Sequence, residues 1–264
     1  MKGMILDIDG VLRRGDQPIE GSLEAVDSIL ESGLKLMLLS NNSTRTREGL
    51  SVSISDMGFP YLECVNSAYA AAVYVSEGMK AKTSLALGEE GLIQELNDKG
   101  LQVTKAGEGL TLDEIAEDRS EYDALVVGMD RDLRYKAISH ALNALRSGSF
   151  FVATNTDPTF PMEKGRVLPG AGSAVAPVKY CSGVDPKVIG KPEPYSTKIA
   201  LNIMGLEPAE VLVVGDRPDT DILAGMRAGC PVARVLTGDV GPREGEDYPV
   251  KESLFELMEY LGFL

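Results

Sequence analysis

Short, nearly unbroken apolar runs alternate along this chain with longer segments whose apolar residues recur at helical spacing. Met4-Ile5-Leu6, Leu34 to Leu39, Ala124 to Val127, Val211 to Val214 and Pro231 to Val235 are of the first kind. Ser22 to Glu31, Arg134 to Arg146, Tyr195 to Met204 and Asp219 to Ala228 are of the second; Leu23, Val26, Ile29 and Leu30 share one helical face. Gly33, Gly148, Gly205 and Gly229 stand where the helices are expected to end. The alternation predicts βαβ units, and so an α/β fold: a doubly wound, Rossmann-like parallel sheet. At 264 residues the chain is longer than the roughly 100–200 residues of one ordinary domain. Glycine, lysine and proline punctuation near Gly78 and Ser182 predicts a core from residues 1–78 and 183–264, with an α/β cap inserted at 79–182.

In open α/β sheets the ligand site lies beyond the carboxyl ends of the strands. Three runs end in polar residues there: Met4-Ile5-Leu6 in Asp7 and Asp9, Leu36 to Leu39 in Ser40-Asn41-Asn42-Ser43, and Val211 to Val214 in Gly215-Asp216-Arg217. Asp7 and Asp9 share a side if the strand continues, and Gly10 allows a sharp turn immediately after them. Two carboxylates about 4 Å apart repel by on the order of 4 kcal/mol at an effective dielectric near 20. A divalent cation would relieve this, and Asp216 with Asp221 would complete an oxygen-rich set of the kind that suits Mg2+.

Composition narrows the field. An apolar fraction of 44% is enough for a sizeable core. A net charge of −14 without a basic stripe argues against nucleic acid or an anionic membrane as partner. No apolar run approaches the roughly 20 residues of a membrane span, and no signal-peptide pattern opens the chain, so a cytoplasmic protein is expected. Cys64, Cys181 and Cys230 are widely spaced, which suggests neither a disulfide framework nor a zinc site. The single histidine, His140, is flanked by Ile138 and Leu142 and reads as structural, which disfavours histidine phosphatases and serine triads.

Four motifs in order give the chain a family likeness: Asp7-Ile8-Asp9-Gly10-Val11-Leu12, Leu39-Ser40-Asn41-Asn42-Ser43-Thr44-Arg45, Gly190-Lys191-Pro192-Glu193-Pro194, and Gly215-Asp216-Arg217-Pro218-Asp219-Thr220-Asp221-Ile222. The chain resembles the haloacid dehalogenase-like hydrolases. Ala153-Thr154-Asn155-Thr156-Asp157, Leu168-Pro169-Gly170-Ala171-Gly172-Ser173 and Val235-Leu236-Thr237-Gly238 are similar to segments of the NagD-like phosphatases within them. The resemblance implies that Asp7 is the nucleophile, forming an aspartyl-phosphate, and that Asp9 is the general acid and then base. It implies that Ser40, the backbone N–H of Asn41, Asn42 and Lys191 hold the phosphoryl group. Mg2+ would be held by Asp7, the Asp9 carbonyl and Asp216, with Asp221 behind them. It implies a small-molecule phosphate ester as substrate, such as a nucleotide, sugar, glycolate or aryl phosphate, and it allows a homodimer.

The cap is expected to choose the ester. Asn155, Asp157 and Phe160 lie on one of its loops; side chains closing turns are the competing reading for the first two. A phosphomutase shares the Asp7 chemistry. A phosphoacceptor signalling domain is a second alternative, but it needs only about 120 residues and has no use for Asp9.

Overall fold

A computed structural model of the chain describes residues 1–161, 166–238, 240, 241, 243 and 245–264. Two parallel sheets organise it. The first takes its strands in the spatial order Val250–Lys251, Val232–Val235, Val211–Gly215, Gly3–Leu6, Lys35–Ser40, Cys64–Asn66. Numbered along the chain within this sheet, the order is 6-5-4-1-2-3, the doubly wound arrangement of a Rossmann sheet. The strand order reverses between Gly3–Leu6 and Val211–Gly215, which pair in parallel from Gly3↔Val211 to Leu6↔Val214. A crevice for ligands opens at the carboxyl end of such a reversal, and Asp7 and Asp216 stand immediately beyond these two strands.

The second sheet has the order Lys187–Val188, Phe150–Ala153, Ala124–Val127, Thr83–Leu87, Gln102–Lys105, again all parallel. Its last strand pairs Lys187 with Val152 and Val188 with Ala153. The chain therefore leaves this sheet after Val188, beyond the join expected at 182, and passes through Ile189 and Gly190 directly to Lys191. Among the described residues two short antiparallel pairs complete the strands, Arg13–Arg14 with Gln17–Pro18 and Thr159–Pro161 with Val167–Pro169.

The helices follow the apolar spacing. Ser22–Glu31 buries Ala25, Val26 and Ile29 on one face, and Tyr195–Met204 buries Ile199, Ala200 and Leu201. Gly205 and Gly229 close their helices in the left-handed conformation, at φ 63° and 85°. The segment expected as one helix from Asp219 begins instead as a wide π-type turn, Pro218–Ile222, before the regular helix Leu223–Ala228. Such turns gather at functional sites, and this one carries Asp221.

The helix Ser67–Val73 is the joint between the sheets. Ser67 is buried, and Ala68 and Ala70 to Val73 are buried in a cluster that takes in Ile5, Met37 and Leu39 of the first sheet and Ala86, Val126 and Val152 of the second. Small side chains let both layers approach this helix closely. Cys64 and Cys230 are free and buried, and burial pushes their thiols up to about 12 and about 11. Protonated thiols of that kind are packing residues rather than nucleophiles. No helix among the described residues is long and apolar enough to cross a membrane.

Candidate active site

The strand Gly3–Leu6 ends one residue before Asp7, whose backbone N–H donates to the Val214 carbonyl (2.9 Å) and so ties the two central strands at their ends. Gly10 then turns the chain at φ +92°. A side chain at that point would lie 2.6 Å from the Asp216 Cγ, and one at Gly238 would lie 1.8 Å from the Asp216 Oδ2. Glycine at both positions is what lets two loops close around this carboxylate. The Thr237 hydroxyl donates to the Gly10 carbonyl (2.5 Å) and fastens the two loops together.

Lys191 lies at the centre. Its Nζ is 2.5 Å from Asp7 Oδ1, 2.6 Å from Asp221 Oδ1, and donates to the Leu39 carbonyl at 3.1 Å, with the side chain only 4% exposed. All three ammonium donors are used. Burial pushes this ammonium down, but the Asp221 and Asp7 carboxylates outweigh it, and the net effect is a pKa above the ordinary lysine range. Its backbone is held as firmly. Asn41 Oδ1 accepts from the Lys191 N–H and Asn41 Nδ2 donates to the Lys191 carbonyl, both at 2.9 Å. The Asn41 side chain thus clamps the lysine backbone.

Asp7, Asp216 and Asp221 each offer an oxygen, and these atoms lie within 4.8 Å of one another. Burial pushes the Asp7 carboxyl up to about 7; Lys191 opposes this, while Asp221 and Asp9 add to it. Burial and the neighbouring Asp221 and Asp7 charges push Asp216 up to about 9. Asp221 is pinned on both oxygens, by Lys191 and by the Arg217 N–H (3.0 Å). Asp216 Oδ1, in contrast, is buried with no hydrogen-bond partner among the described residues. Fully ionised, the three carboxylates would exceed the one ammonium by two negative charges, and Asp216 Oδ1 is unsatisfied among the described residues. A divalent, oxygen-seeking cation fits this donor set.

Asp9 stands apart from the trio. The turn that follows Leu6 directs its carboxylate to Arg13, whose Nε donates to it at 2.9 Å, and it lines the same cavity as Asp7. Ser40 is buried, and its hydroxyl accepts from the Asn42 N–H (3.1 Å). Asn42 Oδ1 accepts from the Thr44 N–H and hydroxyl, both at 2.9 Å. Ser40, Asn41, Asn42 and Lys191 form the core wall of the cavity; Asn155 and Asp157 come to it from the end of the second sheet and Phe160 from the strand pair that follows. The structure therefore gathers every residue singled out in the sequence for catalysis, phosphate or specificity; Asp216 lies just behind the wall, among the acids.

Other residues had been given no role at the site. Met129, Thr159, Gly170, Ala171 and Thr220 also line the cavity. Met129 follows an apolar run and its N–H donates to the Ser43 hydroxyl (3.0 Å), a contact across the two sheets with no local signature. Arg234 is fully buried in the strand Val232–Val235; its Nε donates to the Asp216 carbonyl (2.9 Å) and its NH1 is 2.5 Å from Glu246 Oε1. An arginine inside an apolar strand was the available signal. His140 lies outside this cavity: its Nδ1 accepts from the Gly107 N–H (3.0 Å), which leaves the Nε2–H to face Asp118 Oδ2 (3.0 Å).

Asp7 and Lys191 at the ends of parallel strands, with Asp216 and Asp221 beside them and a second sheet overhead, suit phosphoryl chemistry under a cap. Comparison with known proteins gives the family. The haloacid dehalogenase-like hydrolase family matches residues 4–102, and a second, HAD-hydrolase-like family matches residues 188–256. An acid sugar phosphatase of Staphylococcus aureus (strain USA300) is 34% identical over 239 residues, covering 90% of this chain and 87% of the relative. The solved structure of NagD from E. coli K-12 superposes with a TM-score of 0.84 at 29% identity, covering 97% of this chain and 98% of that one. A glycerol phosphate phosphatase, Rv1692 from Mycobacterium tuberculosis in complex with magnesium, superposes with a TM-score of 0.82 at 31% identity, covering 96% and 76%. The chain belongs to the haloacid dehalogenase-like hydrolases, in their NagD-like subgroup, and is a phosphoric monoester hydrolase.

Proposed function

We propose that this protein is a magnesium-dependent phosphatase that hydrolyses small phosphate monoesters through an aspartyl-phosphate on Asp7. The observation that carries the reading is the charge balance at the strand ends: Asp7, Asp216 and Asp221 clustered around Lys191, with Asp216 Oδ1 buried and unsatisfied. Magnesium would be held by Asp7, Asp216 and the Asp9 carbonyl, with Asp221 behind them, and would supply positive charge to the phosphoryl oxygens. The solved relative that contains magnesium supports the choice of ion.

The chain's own groups account for the remaining work. One carboxylate oxygen of Asp7 attacks phosphorus, and the ester oxygen leaves with a proton from Asp9. The Arg13 contact orients Asp9 toward this task. Lys191 opposes the effect of burial on Asp7 and balances the transferred charge, while Asn41 fixes the lysine backbone. Asp9, now a carboxylate, takes a proton from the water that attacks the aspartyl-phosphate, and both residues return to their starting states. The wall supplied by Asn155, Asp157, Phe160 and Met129 limits the leaving group to a small molecule.

Phosphate release from p-nitrophenyl phosphate tests this reading. Turnover is expected with magnesium, to be lost in EDTA, and to be restored when magnesium is returned in excess. Full turnover in EDTA would contradict the metal requirement.

A further inference from the structure

Arg217 lines the cavity from the core side and Asp157 from the cap side, with NH1 and Oδ1 3.5 Å apart. That distance holds an ion pair but is too long for a hydrogen bond. Among the described residues, the other charged contact of the guanidinium is NH2 to Asp219 Oδ2, at 3.6 Å. Among the described residues the guanidinium makes no hydrogen bond, and its Nε is buried without a partner, although the side chain is only 25% exposed. A rigid fork of N–H donors is therefore left unused at a substrate cavity.

Asp157 is complementary. Its Oδ2 accepts from Asn41 Nδ2 (2.7 Å) and Asn155 Nδ2 (2.5 Å), so two amides fix the carboxylate. Among the described residues its Oδ1 has just the loose arginine contact and is left as an acceptor. The pair is not a cationic site, because Asp157 and Asp219 together outweigh Arg217. A second anionic group on the ester would meet net negative charge here. An uncharged hydroxyl can accept from Arg217 and donate to Asp157 at once.

We propose that Arg217 and Asp157 form a donor–acceptor pair that reads hydroxyl groups on the leaving side of the substrate, selecting neutral, hydroxylated phosphate esters over esters with a second anionic group. This rests on the phosphatase reading above. Arg217 and Asp157 then act as specificity residues, spanning the core and the cap.

The test is kcat/KM for glycerol 1-phosphate and 3-phosphoglycerate, which differ by a hydroxymethyl in place of a carboxylate, with p-nitrophenyl phosphate as a probe that has no hydroxyl. The parent is expected to favour glycerol 1-phosphate over 3-phosphoglycerate by about tenfold or more. Arg217→Met is expected to lower the ratio of glycerol 1-phosphate to p-nitrophenyl phosphate by about tenfold, with Arg217→Lys intermediate. Asp157→Asn, which removes the repelling charge, is expected to narrow the preference against 3-phosphoglycerate. A parent that favours 3-phosphoglycerate, or variants that slow all three substrates by one common factor, would overturn the proposal while leaving the phosphatase reading intact. A parent that hydrolyses none of the three in magnesium would overturn both.

Discussion

The two sheets present their carboxyl ends to one cavity, but with different chemistry. The first delivers buried charge: Lys191 with every donor engaged, and three carboxylates packed around it. The second delivers amides, apolar surface and one acid, through Asn155, Met129, Phe160 and Asp157. Buried charges interact strongly and at fixed distances, so the first set is suited to a reaction common to all substrates. Neutral polar and apolar contacts discriminate by shape and by matched hydrogen bonds, so the second set is suited to choosing among them. Substitutions in the first should abolish turnover. In the second they should redistribute it.

The largest effects are expected at Lys191 and Asp7. Asp7→Asn should lower kcat by about a thousandfold or more. Lys191→Met should lower kcat/KM by at least about a hundredfold, and in EDTA should destabilise the fold by about 3 kcal/mol or more, because Asp7 and Asp221 lose their buried counter-ion. Steady-state kinetics and urea unfolding measure the two.

Next comes the coupling of magnesium, pH and stability. Without metal, Asp7 and Asp216 are raised to about 7 and about 9, above any unfolded carboxyl. The native state then holds protons that the unfolded state has released, so metal-free stability falls as pH rises from the ordinary carboxylate range through about 9. A bound cation replaces those protons. The gain in Tm on adding magnesium should therefore be larger at pH 8.5 than at pH 6, as thermal scans at the two values would record; a gain that shrinks with pH would contradict the charge balance.

Smaller changes are expected in the second sheet. Phe160→Ala should raise KM for aryl phosphates by about three- to tenfold, with kcat within about threefold of the parent. His140→Asn is the smallest in its effect on turnover. His140 lies outside the cavity, so kcat should hold, while stability should fall by about 1–3 kcal/mol through loss of its buried contacts to Gly107 and Asp118.

These contrasts also explain what could be read in advance. The strand ends were legible because an apolar run stopped by Asp7, by Ser40-Asn41-Asn42 or by Asp216 places chemistry at a known edge of a doubly wound sheet. Long helices such as Ser22–Glu31 were legible from spacing alone. The strand Lys187–Val188 was not, since two residues carry no period. The side-chain contact of Asn41 was also hidden. Its partner Lys191 lies 150 residues away, and an asparagine after a strand looks the same whether it faces a phosphate or a backbone. Met129, held by Ser43 across the sheets, has the same non-local cause.

The claim on which the rest depends is covalent chemistry at Asp7. Asp9→Asn should still accept a phosphoryl group from p-nitrophenyl phosphate, whose leaving group needs no acid, but should release it slowly for want of a base. Acid quenching of this variant in magnesium, followed by proteolysis and mass spectrometry, is predicted to find phosphate on the peptide that contains Asp7, and to find none when Asp7→Asn is added. Phosphate on any other residue, or the same label with Asp7 replaced, would contradict the account.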